Sequence, residues 1–310
     1  MSNWPDIPYK PWAETCAALH LYTQIAGKYR LAHAPWVNHS WQATLYLSGR
    51  GLTTGVVPDG AGVEVAFDLI DHKVIASAGD GRRGRIDLSP MSVADFHKAF
   101  TSLIADVGGD PSFHGAPNEV ADPVPFLQDV KSRPYDAAPV SRFFMALSSI
   151  DRVLKRFRTG FLGKVSPVHL FWGSFDLAVT RFSGRSAPRH PGGVPALPDD
   201  VTREAYSHEV SSAGFWPGGG PTDDPAFYCY AYPKPDGFEH ARIAPKSAYW
   251  HEGAGEFILP YDDVRTSADP EKTLLAFLQS AYDAAADLGA WDRAALDCPI
   301  GEPGRPRPLK

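Results

Sequence analysis

The order of segments in the first half of this chain recurs in the second, and that recurrence limits the fold more than any other feature. GKYR at 27–30 returns as GKVS at 163–166, and LYLSGR at 45–50 returns as TRFSGR at 180–185, at separations that differ by a single residue. In each half a helical pattern comes first, alternating segments follow, and a second helix closes the unit. Self-similarity at a fixed offset is the mark of a duplicated supersecondary unit. The expectation is two pseudo-symmetric units, each a helix, a four-strand meander and a helix. Antiparallel sheets with helices on one face define an α+β class. The arrangement is similar to the helix-grip or TATA-binding-like repeat, a likeness of fold that implies nothing about DNA. The N-terminal unit is expected over residues 1–110, a Pro/Asp-rich linker over 111–140, the C-terminal unit over 141–290 and a tail over 291–310.

Local patterns fill in this frame. Trp12, Cys16, Leu19, Ile25 and Ala26 follow helical spacing, and Gly27 reads as the end of that helix. In VNHSWQATLYLSGRG, Val37, His39, Trp41, Ala43, Leu45 and Leu47 alternate with polar residues, as a strand requires. Residues Gly62–Leu88 read as further strands with turns at Asp71-His72 and Gly79-Asp80-Gly81. Ser92, with Asp95 three residues on, predicts the N-cap of a helix that Gly108 closes. The stretch GDPSFHGAPNEVADPVPF reads as a long surface linker with a short strand near Phe113. A segment of that kind usually docks something or covers a site.

In the second half, Phe143, Phe144, Leu147, Ile150, Leu154, Phe157 and Phe161 predict an amphipathic helix ending near Gly163. SPVHLFWGSFDLAVTRFSGR reads as a strand with a bulge at Gly173–Ser174. Strands are also expected in REAYSHEVSSAGFW, AFYCYAYP and EFILPY, before a closing helix from about Asp269 to Gly289.

Composition excludes several classes of function. Apolar residues make up 44% and charged residues 21%, as in soluble globular proteins. A net charge of −6 disfavours nucleic acid, because neutralising phosphates needs a basic surface. No apolar run approaches the roughly 18 residues of a membrane span. MSNWPDIPYKPW lacks the basic and apolar regions of a secretory signal. Cys16, Cys229 and Cys298 fit neither a disulfide framework nor a thiolate zinc site, so a cytoplasmic location is expected.

The segments LHLYTQIAGKYRLAHAPWVNH, RGLTT, DRVLKRF, PVHLFWGSFDLAVTRFSGR, EAYSHEVSSAGFWPGGG and AFYCYAYP resemble the bacterial family DUF5996, from Trp4 to about Trp291. That family has no established activity, so the resemblance implies no cofactor and no catalytic positions.

Candidate chemistry therefore comes from the residues. From Phe175 onward, Leu177, Val179 and Arg181 share one face of the strand and Asp176, Ala178 and Thr180 the other. Asp176 and Arg181 cannot pair with each other, and a buried unpaired charge is costly. Each either joins a structural pair across the sheet or lines a polar space. His208, between Tyr206 and Val210, is expected to meet Tyr228, Tyr230 and Tyr232, forming either an amphipathic ligand wall or an aromatic core around a histidine. GFWPGGGPTDDP lacks the lysine and helix of a phosphate loop, and its glycines suggest a close backbone approach or a moving loop. No histidines show the spacing of a helical zinc site, so no metal is expected. Cys229 reads as a buried, inert thiol.

The sequence thus points to a protein that binds a small-molecule ligand, with enzymatic activity left open. The expected pocket is lined by aromatic, His and Arg side chains, mainly in the C-terminal unit. His208 would act as acid or base and Asp176 would orient it. His169, Trp172, Arg181, Tyr228 and Tyr230 would bind ligand, with Asn38, His39 and Arg50 contributed across the pseudo-dyad. The alternative is a non-catalytic interaction or scaffold protein that docks a partner through aromatic loops. No cofactor is indicated by name.

Overall fold

The first helix runs further than its glycine suggests. In the computed structural model, which describes residues 3–307, α1 spans Ala13–His33 with Gly27 in its interior. A Cβ at Gly27 would collide with the Trp172 indole, so this glycine serves a close approach rather than a helix stop. Beyond α1, the expected strand over 37–47 is largely replaced by a tight turn. Asn38–Ser40 is a short 3-10 segment in which His39 and Ser40 take left-handed φ values of 62° and 60°. Regular pairing begins only at β1, Tyr46–Ser48, and continues through β2 (Gly51–Val57), β3 (Val63–Asp68), β4 (Lys73–Ala78) and β5 (Arg83–Asp87). These strands form an antiparallel sheet in sequence order, with five strands where four were expected.

A two-residue strand β6, Met91–Ser92, leads into α2, Val93–Asp106, and Ser92 Oγ accepts the Asp95 N–H at 3.0 Å, as the capping pattern predicted. The segment expected to be a linker has more structure than its composition suggests. No strand forms near Phe113, but Phe126 is fully buried and β7, Ser132–Arg133, pairs with β6. Asp136 then caps α3, Ala137–Arg158, which starts ahead of the expected boundary.

The second sheet comprises β8 (His169–Phe171), β9 (Asp176–Ser186), β10 (His208–Trp216), β11 (Ala226–Tyr232), β12 (Tyr249–His251) and β13 (Glu256–Pro260). What reads as one bulged strand is thus a hairpin, β8 and β9, turning at Trp172–Phe175. REAY belongs to α4, Asp199–Ala205, and to the turn after it rather than to a strand. The spatial order β8-β9-β10-β11-β13-β12 reverses the last two strands, so this sheet is no simple meander. Two short helices, α5 (Tyr261–Arg265) and α7 (Arg293–Leu296), flank the closing helix α6, Pro270–Leu288, which begins where expected and is capped by Asp269.

Helices α1 and α2 pack on the first sheet, and α3 and α6 on the second. Leu52, Val65, Phe67 and Val74 fill the first interface, and Leu177, Val179, Phe215 and Phe227 the second, within one continuous buried apolar cluster. The sheets meet edge to edge, where Leu45 and Leu170 exchange backbone hydrogen bonds of 2.9 and 2.8 Å. No helix among the described residues is long and apolar enough to cross a membrane.

Candidate functional site

The site begins with the hairpin turn between β8 and β9. Phe175 adopts φ 57° and donates its N–H to the Phe171 carbonyl at 2.8 Å, which closes the turn. Trp172 Nε1 donates to the Ala43 carbonyl at 2.7 Å, and His20 Nε2 lies 2.9 Å from the carbonyl oxygens of both Trp172 and Gly173. The turn is thereby tied to α1. Past it, the expected alternation holds. Asp176, Ala178, Thr180 and Phe182 stand on the face away from the helices, and Leu177, Val179 and Arg181 lie beneath.

That outer face is roofed. The Gln24 amide pairs reciprocally with the backbone of Asn118, donating to its carbonyl at 2.9 Å and accepting its N–H at 2.8 Å. The Asn118 side chain accepts from Lys28 Nζ and donates to the Ala196 carbonyl, so one asparagine joins α1, the 109–126 segment and the 187–198 loop. Helix α4 is held from the other side. The His39 N–H donates to Glu204 at 2.8 Å, and His39 Nδ1 lies 2.6 Å from the Ala205 carbonyl oxygen. The left-handed turn at His39 is what brings it to α4. Between roof and sheet lies a cavity of about 780 Å³. Its walls are mostly apolar, with Leu31, Trp36, Trp41, Phe171, Phe182, Val194, Leu197 and Val201 among them.

Carboxylates and hydroxyls gather on one part of the wall. Asp176 is only 5% exposed, and its side-chain partners are hydroxyls: Ser174 Oγ donates to Oδ1 at 2.5 Å, and the Tyr228 hydroxyl donates to Oδ2. Ala178, Gly214 and Tyr228 lie side by side across three strands. Any Cβ on Gly214 would strike the Tyr228 hydroxyl, so the bare backbone there is what lets the phenol lean across to Asp176. Tyr230 and Tyr206 share a hydrogen bond of 2.8 Å beside them. Burial raises the Asp176 carboxyl above the ordinary carboxylate range, against the pull of its hydroxyl partners.

Glu119 reaches into the same space. It is open to water through the cavity yet enclosed by protein, and that enclosure, with Asp176 adding to it, pushes its carboxyl up to about 7. Glu256, whose Oε2 is buried without a partner, is pushed up to about 8 by burial and then by Asp176. Lys28 is pulled down to about 8 by burial.

A family model for DUF5996, a family of unknown function, matches residues 4–298, which include every part of this site. The chain belongs to the DUF5996 family. No curated protein and no solved structure matches it.

Within this DUF5996 chain the residues singled out from sequence fall into three groups. Asp176, Trp172, Tyr228, Tyr230 and His39 line the cavity together. His169 and Arg181 are fully buried elsewhere. His169 packs against Trp41 and Phe171 with neither ring nitrogen partnered, and burial holds it down to about 3. Arg181 lies on the helix side of the sheet, 3.6 Å from the Phe157 ring centroid and 4.3 Å from that of Tyr282. Its Nη2 donates to the Phe157 carbonyl at 2.5 Å, and burial pulls it down to about 10. The expectation that Arg181 faces ligand is therefore corrected: strand alternation turns it to the opposite side from Asp176.

The third group lies outside the cavity wall. His208 contacts Ser207 Oγ at 3.0 Å, and an irregularity in register between His208 and Val210 breaks the row that was to face the tyrosines. Asn38 is exposed in the 3-10 turn, and Arg50 pairs with Asp68 at 2.6 Å and Asp71 at 3.0 Å on the first sheet. The glycine-rich loop does approach something closely: Cβ atoms at Gly218 and Gly219 would strike the Tyr9 ring.

The DUF5996 site also contains residues that the sequence reading passed over. Glu119 and Asn118 belong to a segment without periodicity. The available signal was His20 and Gln24, two polar residues on the flank of an otherwise apolar helix, which turn out to hold the hairpin turn and that segment. Among the described residues no group of three or more His, Cys, Asp or Glu is placed to hold a metal ion.

Proposed function

We propose that this protein binds a small molecule in the cavity between the outer face of the second sheet and the loop and helix over it. One observation carries the reading: a roofed, mostly apolar volume of about 780 Å³ that contains a buried aspartate whose side-chain partners are two hydroxyls. Ligand sites commonly have volumes of roughly 300–1,000 Å³ and an apolar wall with a few convergent polar groups. A scaffold that docks a partner through exposed aromatic loops needs no such interior. An acid–base enzyme is the second reading, favoured by Glu119 and Asp176, two carboxyls raised toward neutral pH in one cavity. In it they take the roles first assigned to His208. The duplicated-unit reading belongs to the same proposal, since joining β1 to β8, the first strand of each sheet, is what a pseudo-two-fold axis would produce.

Native mass spectrometry of the purified chain tests the binding reading. The wild type should retain a co-purified species, or gain mass and thermal stability with members of a diverse small-molecule panel. Val201→Trp, which fills the cavity from the roof, should abolish both while leaving a cooperative thermal transition. A bare mass and an unmoved transition with every compound would overturn the reading.

A further inference from the structure

Resting on that reading, we infer that the ligand is an amphiphilic amine: a protonated amino group seated on Asp176 and an apolar body lying along Trp41, Phe171, Phe182 and Leu197.

The charges in the wall decide the sign of the head group. Glu119 and Asp176 are its acids, Lys28 is its ammonium, His39 and His114 are its imidazoles, and no arginine lines it among the described residues. The Lys28 ammonium donates to Asn118 Oδ1, and the charge that opposes it is that of Glu119. Lys164, behind the His39 wall, lies 2.8 Å from His39 Nε2. A phosphate or carboxylate ligand would therefore meet two carboxyls against one ammonium that Glu119 already opposes, and burying an anion without a free cation is costly. A metal ion is disfavoured on different grounds, because among the described residues no set of three potential ligands is grouped to hold it.

An amino group suits the geometry. Asp176 accepts one hydrogen bond at each carboxylate oxygen, from Ser174 at Oδ1 and Tyr228 at Oδ2. Each oxygen keeps further accepting capacity, whereas an ammonium brings three donors and no acceptor. The Tyr228 hydroxyl, held by Asp176, fixes the carboxylate's orientation before any ligand arrives. Charge-assisted contacts of this kind are about twice as strong as neutral ones. Burial and the neighbouring Asp176 hold the Glu119 carboxyl up to about 7, and a cation arriving beside it favours the charged form. Amine binding near neutral pH should therefore release protons to the buffer. The apolar part of the wall then determines the rest of the ligand, since Trp41, Phe171, Phe182 and Leu197 offer no charged group to a second polar end.

The test compares n-hexylamine, 1-hexanol and hexanoate, matched in chain length, by isothermal titration and thermal shift at pH 7. Hexylamine should bind about tenfold or more tighter than hexanol, in line with hydrogen bonds to a charged group, and hexanoate weakest of all. Its heat should vary with the ionisation enthalpy of the buffer, reporting released protons. Asp176→Asn should bring hexylamine down to the level of hexanol, with hexanol binding retained. Tyr228→Phe keeps the carboxylate and should keep the preference for the amine, which provides a second folded variant if Asp176→Asn fails to fold. Equal or tighter binding of hexanol or hexanoate would overturn the amine and leave the cavity reading standing. Failure of all three compounds to bind the folded wild type would overturn both.

Discussion

On the first sheet the face turned away from the helices is open to water, and on the second it lies under a roof. Glu64, Lys73, Arg83, Arg85 and Asp87 stand on the open face, where Lys73 sits opposite Asp87 in register and Arg50 pairs with Asp68. The equivalent face of the second sheet carries Phe171, Asp176, Thr180, Phe182, Tyr228 and Tyr230 around the cavity. Both sheets are antiparallel and both rest on two long helices, so the strands do not explain the contrast. The connections do. Short turns join the strands of the first sheet, whereas the 187–205 excursion between β9 and β10 folds back over the second, and the 109–126 segment comes in from the side. Connections positioned by a rigid scaffold are the usual seat of function.

If this contrast is sound, the sealed histidine of the second sheet should carry an acid-sensitive share of stability, and removing it should give the largest of the effects expected here. His169 has a folded value of about 3 against 6.5 for an ordinary histidine. Between those values the unfolded chain binds a proton that the folded chain refuses, so stability is lost as pH falls through the window. The slope approaches about 1.4 kcal/mol per pH unit. Glu119 and Glu256 act with the opposite sign, because the folded chain keeps protons that the unfolded chain has released. Their contribution falls away as pH rises from about 4.5 towards 7 and 8. Urea denaturation at pH 7, 5.5 and 4.5 should show a clear flattening of the acid limb in His169→Leu. An unchanged limb would mean that this histidine is not sealed from water.

Gly214→Ala probes the roofed face more gently. Its Cβ would meet the Tyr228 ring and the Leu177 carbonyl, and such overpacking costs about 1–3 kcal/mol. Chemical denaturation should show that loss, and the preference of the cavity for hexylamine should persist, as in Tyr228→Phe, because the Asp176 carboxylate remains. On the bare face the expected effect is smallest. Arg85→Ser, at an exposed site opposite Ile75, should change stability by no more than about 0.5 kcal/mol and leave ligand binding unaltered. A larger loss would show that the open face has a structural role of its own.

Much of the frame was legible because local rules govern it. Ser92 with Asp95 and the start of the closing helix near Asp269 depend only on neighbours in sequence, as does the alternation that separates Asp176 from Arg181. The misses share a physical cause, which is that distant contacts overrode local pattern. His39 alternates with Trp41 as a strand residue should, yet Glu204 and Ala205 hold it in a left-handed turn. Gly27 looks like a helix terminator until the Trp172 ring packs against it. Glu119 was invisible because nothing in its Pro- and Asp-rich surroundings has a period. Its place depends on Asn118, held by a glutamine 94 residues earlier. His208 was overrated because the reading assumed an unbroken strand from Tyr206, where the chain is instead leaving a helix.

The edge-to-edge junction at Leu45 and Leu170 also bears on how the molecule keeps to itself. An unpaired strand edge is a template on which another chain can add, and proteins blunt such edges by shortening or charging them. Separate sheets would present four outer strands. Joining β1 to β8 leaves only β5 and β12 at the margins. β12 is three residues long, too short to template much, and β5 reads Arg-Gly-Arg-Ile-Asp, with a charge at every other position. The seam that brings the two halves together therefore also removes two edges, and what remains at the rims discourages fibril growth.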